Sequence, residues 1–272
     1  NNILGKKKEL KKGILGTIVV VLGLLGLLFA PSIISIFSLT ITGFIAFTLV
    51  FGKKDTKKMF SKPVAPVKNI AKYFFINVVI SAAVSVFLQQ ILKWGLTGNP
   101  INEAFSPLLF IILPIMILGE ELFSVYFLAI FSSKFSIPVA SFLSAIIFGF
   151  IHYSTYDNGN ILHTVAHILL IQGVARLLFN QAAIKSNSII TSWAVHVNLI
   201  SHYIASRFIL LNFYRNNTCS IAKKAYFISF KQKDRCINGL KILDISASLL
   251  MPAIGIEPTT TRYECVALPT EL

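Results

Sequence analysis

The sequence predicts an all-α fold, a polytopic transmembrane helical bundle of about seven spans. Three observations predict it. First, the chain is 55% hydrophobic and 13% charged, with a mean hydropathy of +0.73, whereas soluble domains are about a quarter charged. Second, the apolar residues form unbroken runs and do not alternate, which excludes a membrane barrel and leaves helices as the spans that satisfy their own backbone in lipid. Third, the net charge of +14 is carried largely by lysines in short segments between the runs, the distribution of cytoplasmic loops. The basic balance therefore marks topology and a lipid bilayer as partner, and no nucleic acid is expected.

The elements follow in order. Residues 1–13 hold five lysines and one glutamate and read as a cytoplasmic start. The chain does not open on Met, and the run after the lysines is read as a retained first span, not a signal peptide. Ile14–Ala30 is span one; Pro31-Ser32 turns the chain; Ile33–Phe51 is span two. Gly52–Asn69 carries six lysines and two prolines and reads as an inner loop attractive to anionic headgroups. Ile70–Trp94 is span three, and Gly95–Pro107, without lysine or arginine, is an outer loop. These parts form an N-terminal segment, 1–107.

Span four, Leu108–Phe131, holds two adjacent carboxylates, Glu120 and Glu121. An acidic residue at a span's centre costs about 2.5–3.5 kcal/mol on insertion scales, so an ionisable group there points to function and to partners on other spans. Span five, Ile137–Tyr153, ends in FGFIHYS; an outer turn at Ser154–Asn160 leads to span six, Ile161–Phe179, with His163, His167 and Arg176; span seven, Ser188–Leu211, carries His196, Asn198 and His202. Every histidine of the protein lies between 152 and 202. Residues 108–211 thus form a polar-centred core. Residues 212–272 form a basic tail whose end, GIEPTTTRYECVALPTEL, resembles a reading frame continued into the antisense strand of a tRNA gene. The three cysteines (Cys219, Cys236, Cys265) all lie there, without a CxxC, so neither a disulfide frame nor a zinc knuckle is expected.

Glu120 and Glu121 point about 100° apart on a helix, so one can face a reaction centre while the other holds a supporting partner. Phe148 and His152 share a face at i, i+4. One glutamate and two histidines on three spans can activate water: a carboxylate can take a proton from it and later return one to a leaving amine, and an imidazole can serve a developing oxyanion. His163 and His167 form an HxxxH pair, a weaker metal candidate without an intervening glutamate. No GxSxG, HExxH or facing serine–lysine pair occurs. Glutamate-driven and metal-assisted hydrolysis both remain open. On the span limits above, His152 would lie about 10–15 Å outward of Glu120.

GEELFSVYF, FGFIH and SWAVH, at this spacing, resemble the motifs of the CPBP family, the type II CAAX prenyl endopeptidase-like membrane proteases, which include bacteriocin-immunity proteins of Gram-positive bacteria. The resemblance covers residues 108–203. It implies an intramembrane peptide hydrolase of the bacterial cell membrane acting on a peptide or membrane-protein substrate. It also implies roles: Glu120 and His152 activate the water, His196 serves the oxyanion and Glu121 supports. Members of the family are described both as glutamate proteases and as metalloproteases. A divalent metal such as zinc is therefore the cofactor to look for, with Glu120, His152 and His196 as its ligands. The sequence departs from the family pattern twice. Val125 stands where EExxxR places arginine, and Ile200 stands where an Asn or Asp follows the last histidine. Arg176 is the substitute partner expected for Glu121, and Phe148 and Asn198 are expected supporting residues. A catalytically impaired immunity or binding protein and a proton-coupled transporter are the rival readings.

Overall fold

A computed structural model describes residues 4–5, 9–99, 108–206 and 209. The basic tail, its cysteines and most of the outer loop before span four lie outside the described residues. The expected all-helical polytopic bundle is the architecture found. Its elements are α1 (Leu10–Phe29), α2 (Ser32–Met59), α3 (Pro66–Val86), α4 (Leu109–Ser132), α5 (Ile137–Ile151), α6 (Tyr153–Tyr156), α7 (Ile161–His167), α8 (Val174–Ser186) and α9 (189–206). One π-helical turn, Phe87–Ile91, extends α3, and another, Ile168–Gly173, joins α7 to α8 into one long rod. Among the described residues, Leu10–Phe29, Ile33–Met59, Pro66–Ile91, Leu109–Ser132 and Ile161–Ser186 are long and apolar enough to cross a membrane. The shorter α5 and the helix α9 complete the bundle.

Helix α4 is the central post. It buries Leu113, Ile117, Leu122, Phe123, Tyr126 and Leu128 and packs against α2 on one side and α5 on another. Its contact with α2 is close because small residues allow it: a Cβ on Gly119 would stand 2.9 Å from the backbone nitrogen of Thr40. The α1–α2 hairpin is equally tight, since a Cβ on Gly23 would overlap the hydroxyl of Thr42. Small residues draw helices together in lipid, where the hydrophobic effect no longer does so. Tyr126 fixes the hairpin to α4 by donating to the carbonyl of Gly13 at 2.9 Å.

Several helix ends differ from the sequence expectation by a few residues, and two of the differences have a clear local reason. Span two does not end at Phe51. It kinks at Gly52, whose φ of 79° and ψ of 158° are accessible to glycine and strained for other residues. It then continues as a lysine-bearing helical segment with Thr56 and Met59 buried. Span five stops at Ile151, with His152 as its C-cap. A helix of 15 residues is about 22 Å long, short of the roughly 30 Å hydrocarbon core. His152 is therefore not carried outward to the membrane surface. The chain turns within the bundle through α6, and Tyr156 on that turn is buried.

Candidate active site

Four elements bring their polar side chains to one place. Glu121 on α4 is fully buried and so is Arg176 on α8. Arg176 donates through both terminal nitrogens, at 2.8 Å to Oε1 and 3.1 Å to Oε2 of Glu121. This is the two-pronged geometry that suits guanidinium and carboxylate. The remaining Nε donates to Asn180 Oδ1 at 3.0 Å, and Asn180 in turn donates to Ser141 Oγ on α5 at 3.0 Å. The guanidinium lies over the rings of Phe148 and Phe179, 5.6 and 5.2 Å from their centres. Arg176 thus meets Glu121 although position 125 is valine. Val125 is buried in the apolar core with Met59 and Ile189.

The ion pair orients a histidine. His196 Nδ1 lies 3.0 Å from Glu121 Oε1. An ionised carboxylate only accepts, so Nδ1 carries the hydrogen and Nε2 points away from Glu121. That Nε2 lies 3.9 Å from Glu120 Oε2, beyond direct hydrogen-bond length and within reach of one bridging water. Phe179 stacks on the imidazole at 4.5 Å between ring centres and limits its tilt. The two neighbouring acids are therefore divided in function. Glu121 is sealed, while Glu120 keeps 19% of its side chain exposed and faces a cavity.

That cavity, of about 140 Å³, is lined by Glu120, His152 and His196 together. His152 Nδ1 sits 2.8 Å from the carbonyl of Phe148, which can only accept, so its Nε2 is left as a base. Phe148 places its ring 4.7 Å from that of His152 and also underlies Arg176, which links the two parts of the site. The outer wall includes Tyr156, whose hydroxyl accepts from Gln172 at 2.8 Å and Asn99 at 3.2 Å. Burial pushes the Tyr156 phenol up to about 12, so it meets the cavity as a neutral hydroxyl. Gln172 belongs to the π-helical turn, and such turns frequently accompany functional sites.

Other expected residues fall elsewhere. Asn198 is exposed and donates to the carbonyl of Ala194 in its own helix, at 2.7 Å; it does not join the site. The HxxxH pair separates in role. His163 stacks on Trp94 at 4.3 Å, and His167 packs on Tyr156 at 4.5 Å and lines the cavity. His202 is exposed against Phe74. Among the described residues no three His, Cys, Asp or Glu side chains converge as a metal site needs. Glu120, His152 and His196 share the cavity without forming a ligand set, so the residues do not fit a bound metal. Sequence reading missed Asn77, Tyr156 and Gln172, and named His167 only as half of the HxxxH pair. For Asn77 a signal existed: Asn77, Ser81 and Ser85 recur every four residues on α3, one polar stripe on an apolar helix.

Residues 102–199 match the family model described as Type II CAAX prenyl endopeptidase Rce1-like. The matched segment contains α4 to α8 and the part of α9 that carries His196. No curated protein and no solved structure matches the chain.

Proposed function

We propose that the protein is an intramembrane endopeptidase that hydrolyses a peptide bond with water activated by Glu120 and the histidines. The observation that carries this reading is the convergence of Glu120, His152 and His196 from separate elements on one cavity, with Glu121 and Arg176 holding His196 in place. The match of residues 102–199 to a family of endopeptidases supports it.

The chemistry follows from the tautomers. Water between Glu120 and the imidazoles loses a proton to Glu120, with His152 Nε2 as the second acceptor in reach. The hydroxide oxygen bonds to the peptide carbon, and the carbonyl pair moves to oxygen. His196 serves that oxygen only when Nε2 carries a proton, as the imidazolium held by Glu121. Collapse breaks the C–N bond, and Glu120 returns its proton to the leaving amine. No step passes through a metal.

Bacteriocin self-immunity or maturation of a secreted peptide in a bacterial membrane is the biological role proposed for this chemistry. One observation favours a second reading. Ile200 turns hydrocarbon toward the cavity, which suits a catalytically impaired immunity protein that binds without cutting.

One variant separates the two. The purified protein in lipid nanodiscs is given an internally quenched peptide of alternating Leu and Ala, beside a Glu120→Gln variant. Cleavage by the parent, its loss by 10²-fold or more in the variant, and indifference to a chelator are expected, since one positioned acid–base group contributes about 10²–10⁴-fold. Equal cleavage by both proteins would end the hydrolase reading. Retained protection of cells carrying Glu120→Gln would select the binding reading.

A further inference from the structure

The strongest unexplained feature lies on α3, a helix outside the span pattern that carries the acids and histidines. Asn77 is 1% exposed. Its side-chain oxygen accepts from Ser81 Oγ at 3.1 Å, which fixes the amide: the oxygen faces Ser81 and the nitrogen faces the other way. That nitrogen has no hydrogen-bond partner among the described residues. Asn77 also lines the cavity shared by Glu120, His152 and His196. An amide donor buried away from water without a partner costs about 1–3 kcal/mol. Neighbouring helices normally supply the partner for a polar side chain within a membrane bundle, and here they do not. The amide is oriented and unspent, and it belongs to a residue that lines the space where the proposed reaction occurs.

An N–H donor selects an acceptor. In an apolar peptide the acceptors are backbone carbonyl oxygens. We propose that Asn77 is a substrate-binding residue whose side-chain N–H donates to a backbone carbonyl of the peptide held in this cavity. Ser81 is then a positioning residue that prevents the amide from flipping. The proposal rests on the hydrolase reading for the identity of the ligand, but not on turnover for its test. A solvated or purely structural Asn77 makes a different prediction, because replacing an unpaired buried amide with hydrocarbon of similar shape relieves its desolvation cost.

The test uses the full chain in nanodiscs and a fluorescein-labelled acetyl-Leu-Ala-Leu-Ala-Leu amide as probe. Anisotropy compares Glu120→Gln with the double variant Glu120→Gln/Asn77→Leu, so that cleavage cannot confuse binding. Loss of one hydrogen bond to the ligand is expected to weaken binding on the order of tenfold. Asn77→Leu in the parent background should unfold at the same or a higher temperature. Asn77→Val, which removes the donor with a smaller apolar side chain, should bind as poorly as Asn77→Leu. Equal affinity of the two Glu120→Gln proteins, including no measurable binding by either, overturns the proposal. So does weakened binding accompanied by a lower unfolding temperature in Asn77→Leu and full affinity in Asn77→Val. Equal cleavage by the parent and Glu120→Gln would instead overturn the hydrolase reading and leave the binding comparison standing.

Discussion

At the scale of single residues, the centre of the molecule is the bond between Glu121 and Arg176. Two charges with no exposed surface are held by each other, by Asn180 and by His196. Removing one partner of a buried pair leaves an uncompensated charge and typically costs 3–5 kcal/mol. Arg176→Ala should therefore lower the unfolding temperature sharply, as read by a thermal scan in detergent, and should abolish cleavage as well. A Glu121→Met/Arg176→Met double variant should recover most of the lost stability, since buried pairs are often replaceable by hydrocarbon, but not the activity, because His196 loses the acceptor that sets its tautomer. Much of this was legible beforehand. Two acids inside an apolar run demand a counter-charge, and Arg176 is the arginine of the expected span six. Asn77 was legible only as one member of the polar stripe Asn77, Ser81, Ser85 on α3; that its amide nitrogen is left over shows only in the packed bundle.

At the scale of elements, close approach depends on a few small residues, and α4 sits where it does because α2 can touch it. Gly119→Val would drive a side chain into the backbone of Thr40. Overpacking of this kind costs about 1–3 kcal/mol. A fall in unfolding temperature is expected for this variant, and no change for Gly13→Ala, where the nearest atom to an added Cβ is 3.8 Å away. Sequence periodicity located the helices well but not their interruptions. The π-helical turn Ile168–Gly173, ILLIQG, carries no proline, and its single glycine at the end is too weak a signal to mark an interruption. The early end of α5 was hidden for the same reason: the apolar Phe150 and Ile151 run up to its last residue and give no stop signal before His152. The packed bundle nevertheless brings His152 and Glu120 onto one cavity, which the span limits alone did not show.

At the scale of the whole molecule, the lysine-rich connection between α2 and α3 stands at one end of α3, and the Asp157–Asn160 turn meets the other end through the bond from Asn158 to Gly95. Lys62 lies on the turn between α2 and α3, and Ile161 opens α7 beyond the cavity; both are exposed. In a background with Cys219, Cys236 and Cys265 replaced by serine, a membrane-impermeant maleimide should label Ile161→Cys in intact cells and Lys62→Cys only after permeabilisation. Labelling of both without permeabilisation would reverse or break the proposed orientation. Composition and lysine placement were enough to read the bundle. They could not reveal that one polar wall of the cavity comes from α3, because that wall belongs to a span whose sequence differs little from an ordinary lipid-facing helix.

The guanidinium that neutralises Glu121 comes from 55 positions further along the chain, not from the same helix. A ribosome therefore releases the acid long before its cation exists. A nascent chain halted short of Arg176 would present α4 to the insertion machinery with its charge unanswered, and completion of α8 would be the event that makes the preceding helix acceptable to lipid. Biogenesis of this protein should then proceed by late, concerted admission of several helices, with quality-control proteases acting on any chain whose synthesis stops early.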